Sequence, residues 1–377
     1  MVTSSQTGVV NTVRFTLSNT LATGGRRGII PLLGSTDLHS RTSLSFTFFS
    51  AHNFASIKHS SSMDAPLTVK ASSSAIGTIH VHISLKLGND IFLGVLMFFG
   101  LGFFLDCDDG IIGEKDLLIV GPGVLGRLVA EKWREEHPGC QIFGQTMTPD
   151  HHDELIKKGI KPSLKETKLC KKFPYVIFCA PPSRTADYPG DVREAALKWN
   201  TEGSFVFTSS SAPYDCHDNG PCDEDTPVVP IGTSPRTDVL LKAEKAALEY
   251  GGCVLRLAGL YKADRGAHTY WLSKGTSDFR GDHIVNLIHY EDAASLAVVI
   301  LKKKLRGRIF LGCDNHPLSR QEVMDLVNKS GKYDQKFEGF TGTSDPLGKK
   351  LDNSRTRAEL EWEPKYGSFA GFLGVSE

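Results

Sequence analysis

"LLIVGPGVLGRLVAEKWREEHPGCQIFGQT", residues 117–146, decides the fold. "DLLIV", from Asp116, is a short unbroken apolar run, the pattern of a strand buried on both faces. "GPGVLG" follows, from Gly121 to Gly126. Leu125, Leu128, Val129 and Trp133 then recur at helical spacing until Pro138-Gly139 stops the helix. "CQIFGQT" is a second strand. The order is strand, Gly-x-Gly-x-x-Gly, helix, strand. In that context the glycines carry a mechanism: Gly121 permits a tight turn, Gly123 lets backbone approach a pyrophosphate, and Gly126 lets the helix pack on the strand. The helix N-terminus offers free N–H groups and a positive dipole end to phosphate. Gly121, Pro122, Gly123, Val124, Leu125 and Gly126 are therefore expected to cradle a dinucleotide.

About 20 residues beyond the glycines, an acid would hold the ribose 2′-hydroxyl of NAD. That place falls at Gln145-Thr146, without an acid, which favours NADP over NAD; no Arg stands there to clamp a 2′-phosphate. Thr146 is the expected ribose-side contact. His151 and His152 read as a solvated helix start.

Downstream, "YVIFCAPP" (175–182), "GSFVFTSSS" (203–211) and "CVLRLAGLY" (253–261) read as strands, separated by helical "DVREAALKW" and "RTDVLLKAEKAALEYGG". Alternation of this kind predicts an α/β doubly wound parallel sheet, the Rossmann fold. Ligands of such sheets bind at the carboxyl ends of the strands. This places Ala180, Pro181, Pro182, Thr208, Ser209 and Leu260 beside the glycine loop.

From about Gly113 to Glu377 the chain resembles the extended short-chain dehydrogenases/reductases, the NAD-dependent epimerase/dehydratase group. The matching pieces run in order: "LLIVGPGVLG", "VIFCAPPS", "FVFTSSSAPYD", "DEDTPVVP", "VLRLAGLY", "NLIHYEDAASLAVVIL" and "LDNSRTRAELEWEPKYGSFAGFLG". The resemblance implies NAD(P) binding and a small C-terminal substrate lobe, mainly residues 262–377. It also implies a strand-end hydroxyl near the reacting carbon, and Ser210, four residues before Tyr214, takes that place. Such a hydroxyl can donate to a developing alkoxide. The family's Tyr-x-x-x-Lys pair is missing: its places on the next helix fall on Arg236 and Leu240. Tyr214 or Arg236 could stand in as acid or electrophile; Arg236 also reads as a substrate or phosphate contact. The chain thus resembles atypical members that keep the cofactor fold. Two readings follow: an NAD(P)-dependent oxidoreductase or epimerase-like enzyme acting on a small sugar or carbonyl substrate, and a catalytically silent dinucleotide sensor or scaffold, with RNA association as a variant. The family also implies pairing into a homodimer through the "RTDVLLKAEKAALEY" helix.

Arg256, inside a strand, requires a partner when buried. His289 and Asp292 match the family's "IHxxD" pattern, with Asp292 expected as a helix N-cap. Asn353 is expected as a surface or lobe contact.

The remaining composition sets bounds. Net charge is zero over 377 residues, and "LKKKLRGR" is the one concentrated basic run, which argues against nucleic acid as partner. Eight cysteines form no Cys-x-x-Cys, and no Cys/His set has zinc spacing, so no metal is expected. Residues 1–112 read as a leader outside the fold. Up to Ser62 it holds Arg14, Arg26, Arg27, Arg41 and Lys58 against Asp37 alone, with 12 Ser and 9 Thr. This is the composition of an organelle transit peptide, pointing to the chloroplast stroma ahead of the mitochondrion. "IFLGVLMFFGLGFFL", Ile91 to Leu105, is shorter than the ~20 residues of a membrane span. It stands as a short anchor, an interfacial segment, or sequence outside the mature fold, the last being favoured.

Overall fold

The computed structural model describes residues 111–167 and 171–376, together with the backbone of six short strands between Asn11 and Met97. These six belong to a unit of their own, Met1–Leu105. They form two antiparallel three-stranded sheets, one from Asn11–Thr16, Ser43–Phe48 and Ala55–Ser60, the other from Leu67–Ser73, Ile79–Leu87 and Asp90–Met97. Of the apolar run, Ile91 to Met97 falls in the last of these strands; its remainder lies outside the described residues, as does most of the leader. No helix among the described residues is long and apolar enough to cross a membrane.

The unit Asp106–Glu377 is built on a seven-stranded sheet. In chain order the strands and helices are β1 (Leu117–Val120), α1 (Val124–Glu136), β2 (Ile142–Thr146), α2 (His152–Lys157), β3 (Ile160–Leu164), β4 (Phe173–Phe178), α3 (Tyr188–Leu197), β5 (Trp199–Ser210), α4 (Pro235–Glu249), β6 (Cys253–Leu257), α5 (Ala267–Lys274), α6 (Tyr290–Lys303), β7 (Ile309–Gly312), α7 (Arg320–Ser330), α8 (Ser354–Leu360) and α9 (Phe369–Leu373). The spatial order is β7-β6-β5-β4-β1-β2-β3, with every neighbouring pair parallel. Chain order reverses between β1 and β4, the switch point at which doubly wound sheets bind ligands.

Apolar residues on both strand faces require cover on both sides. On one face, Leu125, Val129 and Trp133 of α1 join Leu296, Ile300 and Leu301 of α6 over Leu117 and Ile119. On the other, Val192 and Ala195 of α3 join Ala243 and Ala247 of α4 over Leu118, Val176 and Phe178. The small side chains of α3 and α4 let both helices lie close to the aromatic residues of β4 and β5. Two strands of this sheet were not foreseen. β3 carries Pro162 and lies on the sheet edge, where a missing N–H is tolerated. β7 is only four residues long.

The lobe has a separate core around Trp271, Leu272, Val323, Met324, Phe337 and Phe369. The segment expected as one strand, Cys253 to Tyr261, splits. After β6, Gly259–Tyr261 leaves the sheet and pairs with Leu287–His289. A second short strand, Gly220–Cys222, runs parallel to Lys349–Leu351 and ties the end of β5 to the C-terminal segment.

Two structural expectations need adjustment, and a third is met. α6 is capped by His289, whose Nδ1 accepts from Glu291 N, while Asp292 sits inside the first turn and accepts from Lys365 N and Tyr366 N. Asn353 is fully buried, donating to the Leu311 and Cys313 carbonyls and accepting from Arg357 Nε, because it closes the end of β7. Arg256 meets the expectation of a buried pair: its Nη2 lies 2.7 Å from Glu244 Oε2.

Candidate dinucleotide site

The glycine loop fills the gap between β1 and α1 as its sequence requires. Gly121 takes φ +80, and a Cβ there would fall 2.6 Å from the backbone N and Cα of Ala180. The ends of β1 and β4 therefore touch through a glycine and an alanine. A Cβ on Gly126 would meet Ile119 Cγ2 at 2.9 Å, so the third glycine sets the approach of α1 to β1. Gly123 differs. It is exposed, and a Cβ on it would find nothing nearer than the Gly121 carbonyl at 4.0 Å. The space above Gly123 is open, at the N-terminus of a 13-residue helix that has no side-chain cap and no acid in its first turn. A pyrophosphate fits this cradle sterically and electrostatically. Pro122 is buried and packs toward Gly144, Leu125 belongs to the core, and Val124 is half-buried beside it.

The ribose side follows β2. Gln145 is buried, its Oε1 accepting from Lys198 Nζ at 2.9 Å, while its backbone carbonyl accepts from Gly121 N. Thr146 Oγ1 lies 2.7 Å from His152 Nε2. His152 is thus part of the rim rather than only a helix start. Sequence reasoning missed the Gln145–Lys198 bond, whose members lie 53 positions apart.

Across the crevice, the carbonyl of Ala180 accepts from the Tyr188 hydroxyl at 2.7 Å, which fixes the turn carrying Pro181 and Pro182. Thr208 Oγ1 donates to the Phe178 carbonyl and joins β5 to β4. Leu260 packs against the core from the Gly259–Tyr261 strand.

Ser209 and Ser210 divide by strand alternation. Ser209 is buried and donates to Glu244 Oε1 at 2.6 Å, so its hydroxyl belongs to the Glu244–Arg256 network under α4. Ser210, next along the strand, is half-buried, and among the described residues its Oγ accepts only from Ala212 N, at 3.2 Å. It keeps its proton for another acceptor.

The other expected catalytic groups are not brought to Ser210. Tyr214 is fully buried, with its hydroxyl lacking a hydrogen-bond partner among the described residues and the Arg256 guanidinium 4.7 Å from its ring centre. Burial pushes its phenol up to about 12, with the Arg256 charge pulling the other way. Arg236 is exposed in the first turn of α4 and makes no hydrogen bond or ion pair among the described residues. Leu240, at the place of the family's lysine, is buried in the core.

A different lysine reaches this region. Lys349 Nζ donates to the Tyr214 carbonyl at 2.7 Å and the Ser211 carbonyl at 3.3 Å. Burial holds its ammonium below the ordinary lysine value, opposed by Cys222, Cys216 and Asp215. Lys349 lies 138 residues after Ser211, and no local pattern marks it. Among the described residues no group of three or more His, Cys, Asp or Glu side chains could hold a metal ion.

No protein-family model matches the chain. Protein YeeZ of Escherichia coli is 30% identical over 166 residues, which covers 43% of this chain and 58% of YeeZ. The chain thus spans less than two thirds of that relative. A functionally unknown conserved protein from Silicibacter pomeroyi superposes with a TM-score of 0.57 at 21% identity, covering 68% of this chain and 96% of that one. A dTDP-glucose 4,6-dehydratase from Bacillus anthracis, solved in complex with NAD, superposes at 0.56 with 17% identity, covering 68% and 94%. The chain has the Rossmann-type α/β fold of the epimerase/dehydratase proteins.

Proposed function

We propose that this chain binds a nicotinamide dinucleotide along the β1–α1 loop and acts as an oxidoreductase or epimerase-like enzyme on a small sugar or carbonyl compound. The observation that carries this reading is the open space above Gly123 at an uncapped helix N-terminus, beside two glycines that the backbone geometry demands. When bound, the dinucleotide would supply hydride chemistry. Gly121 to Gly126 would hold its pyrophosphate, Thr146 and His152 would face its ribose, and Ser210 would donate to the oxygen of the reacting carbon. The absence of an acid at Gln145-Thr146 supports NADP over NAD. The dehydratase in complex with NAD, sharing this fold, supports the cofactor class.

The buried Tyr214 and solvent-facing Arg236 support a second reading, a dinucleotide-binding sensor or scaffold without chemistry of its own. Both readings place the chain among atypical extended short-chain dehydrogenases of the plastid type, and the Ser- and Arg-rich leader supports the chloroplast stroma. Homodimer formation through α4 goes with the same family reading.

The test is a titration of the full chain with NADPH and NADH, followed by nicotinamide fluorescence, with Gly123→Asp as control. We expect micromolar or tighter binding of one nucleotide, weakened at least ~10-fold in the variant because a carboxylate then occupies the phosphate position. Absence of binding by both nucleotides would refute the proposal. Binding without turnover across a panel of sugar nucleotides and carbonyl compounds, unaltered by Ser210→Ala, would favour the silent reading.

A further inference from the structure

Two thiols sit on the segment that leaves β5 for the lobe. Cys216 follows Tyr214 by two residues, and Cys222 ends the short strand Gly220–Cys222. Both are free thiols. Both pack into the same apolar cluster, Cys222 buried and Cys216 half-buried. The chain between them folds back on itself. Asn219 takes φ +60, and Gly220 N donates to Asp218 Oδ1. Cys216 Sγ consequently lies 3.6 Å from the Gly220 carbonyl oxygen and 3.9 Å from that of Pro221, the carbonyl of the peptide bond leading into Cys222.

A cation stands beside this turn, where Lys349 pairs with Gly220 in the short parallel ladder. Lys349 is anchored by the Ser211 and Tyr214 carbonyls, and its positive charge acts on each thiol. Burial raises both thiols, Cys222 to about 11; the Asp218 carboxylate, to which Cys216 Sγ donates at 3.3 Å, raises Cys216 further, and Lys349 opposes the rise in each. The other charged groups around them are Asp215, Asp218, Asp223 and Arg256. Two cysteines six positions apart, on a chain that folds back beside a cation, are suited to thiol–disulfide exchange. Nothing in the dinucleotide site requires either of them.

We propose that Cys216 and Cys222 form a reversible dithiol–disulfide pair, oxidised by a small disulfide such as oxidised glutathione. Cys216, the more exposed, gives its proton to solvent and attacks one sulfur of the oxidant. That S–S bond breaks, and one glutathione leaves as thiolate and takes up a proton. Cys222, deprotonated in turn, attacks the Cys216 sulfur of the mixed disulfide and releases the second glutathione. Two protein thiols are oxidised, and one external disulfide is reduced to two thiols; a dithiol reductant reverses the sequence. The closed ring holds the segment flanking Ser210 against the strand Lys349–Leu351. Because burial keeps the thiols protonated, the reaction accelerates as pH rises.

The experiment uses the reduced full chain incubated with oxidised glutathione at pH 8, quenched with N-ethylmaleimide. Cleavage at Asp218 separates the two cysteines. The expected product is a pair of peptides bearing Cys216 and Cys222, joined to each other, free of maleimide and parted by dithiothreitol. Cys216→Ser should leave Cys222 alkylated. Cys222→Ser should arrest Cys216 as a stable glutathione adduct. Lys349→Met should slow ring formation ~3- to 10-fold through the lower thiolate fraction, and Lys349→Arg should restore it. Three results would overturn the proposal: both thiols alkylated in the unsubstituted chain, a glutathione adduct persisting there on Cys216, or a link from either cysteine to another. An unchanged rate in Lys349→Met would overturn the part given to the lysine.

Discussion

Replacement of Asp314 by Asn should make this protein more stable at neutral pH and flatten the response of its stability to pH. Asp314 follows β7 and is 2% exposed. Its Oδ1 accepts from His316 N at 3.0 Å, and its Oδ2 has no hydrogen-bond partner among the described residues. Arg357 donates to the Asp314 backbone carbonyl rather than to the carboxylate. Asp292 adds repulsion, and the Tyr261 hydroxyl nearby is likewise unpartnered. Burial, the largest influence, lifts the carboxyl to about 7. The unfolded chain would release this proton near pH 4. Between pH 4 and 7 the folded state therefore holds more protons than the unfolded state, and stability falls as pH rises. At about 1.4 kcal/mol per pH unit the full cost, reached above pH 7, is roughly 4 kcal/mol. Most of it, on the order of 3 kcal/mol, accrues between pH 5 and pH 8. Asn keeps the acceptor for His316 N and carries no charge. Urea unfolding of the full chain and of Asp314→Asn at four pH values in that range gives the test. His137, His268, His283 and His289, all held below the ordinary histidine value chiefly by desolvation, move stability in the opposite direction but cancel in the difference between the two proteins. Parallel stability curves for parent and variant would refute the reasoning.

Other substitutions probe the framework of the site. Gly121→Ala places a Cβ against the Ala180 backbone at φ +80 and should destabilise by at least ~2 kcal/mol in thermal unfolding; an unchanged midpoint would mean that β1 and β4 do not close as described. Glu244→Ala strands the Arg256 charge and the Ser209 hydroxyl in the interior and should cost about 3–5 kcal/mol in urea unfolding, whereas Glu244→Met with Arg256→Met should cost less than the single change. Asn353→Ala leaves the Leu311 and Cys313 carbonyls without their donor and should lose roughly 2–4 kcal/mol; a loss below ~1 kcal/mol by denaturation would show that water replaces the amide.

The β1–loop–α1 unit was legible because each of its rules is local. An apolar run, three glycines and a helical stripe lie within 20 residues and specify one another. β3 and β7 were not legible for the same reason reversed. Edge strand Ile160–Leu164 carries a proline and half-polar faces, and Ile309–Gly312 is too short to show a period. The "TSSS" run set a harder problem. Period-two alternation separates Ser209 from Ser210, but only the position of Glu244 on α4 decides which hydroxyl is held inside. Tyr214 looked accessible by its spacing from Ser210, yet the chain turns it under Arg256. Lys349 shows where local reading ends, since its role depends on contacts more than 130 residues apart.

The pairing of Gly220–Cys222 with Lys349–Leu351 also dictates an order of assembly. Synthesis proceeds from the N-terminus, so β1 to β6 have all emerged while the partner of Gly220–Cys222 is still unmade. Closing a loop of this length is entropically late, and contacts of such separation slow folding. The segment beside Ser210 is therefore the last part of the crevice wall to set. A chain cut before Lys349 would keep every strand of the parallel sheet, yet leave the rim of the crevice without the strand that holds it.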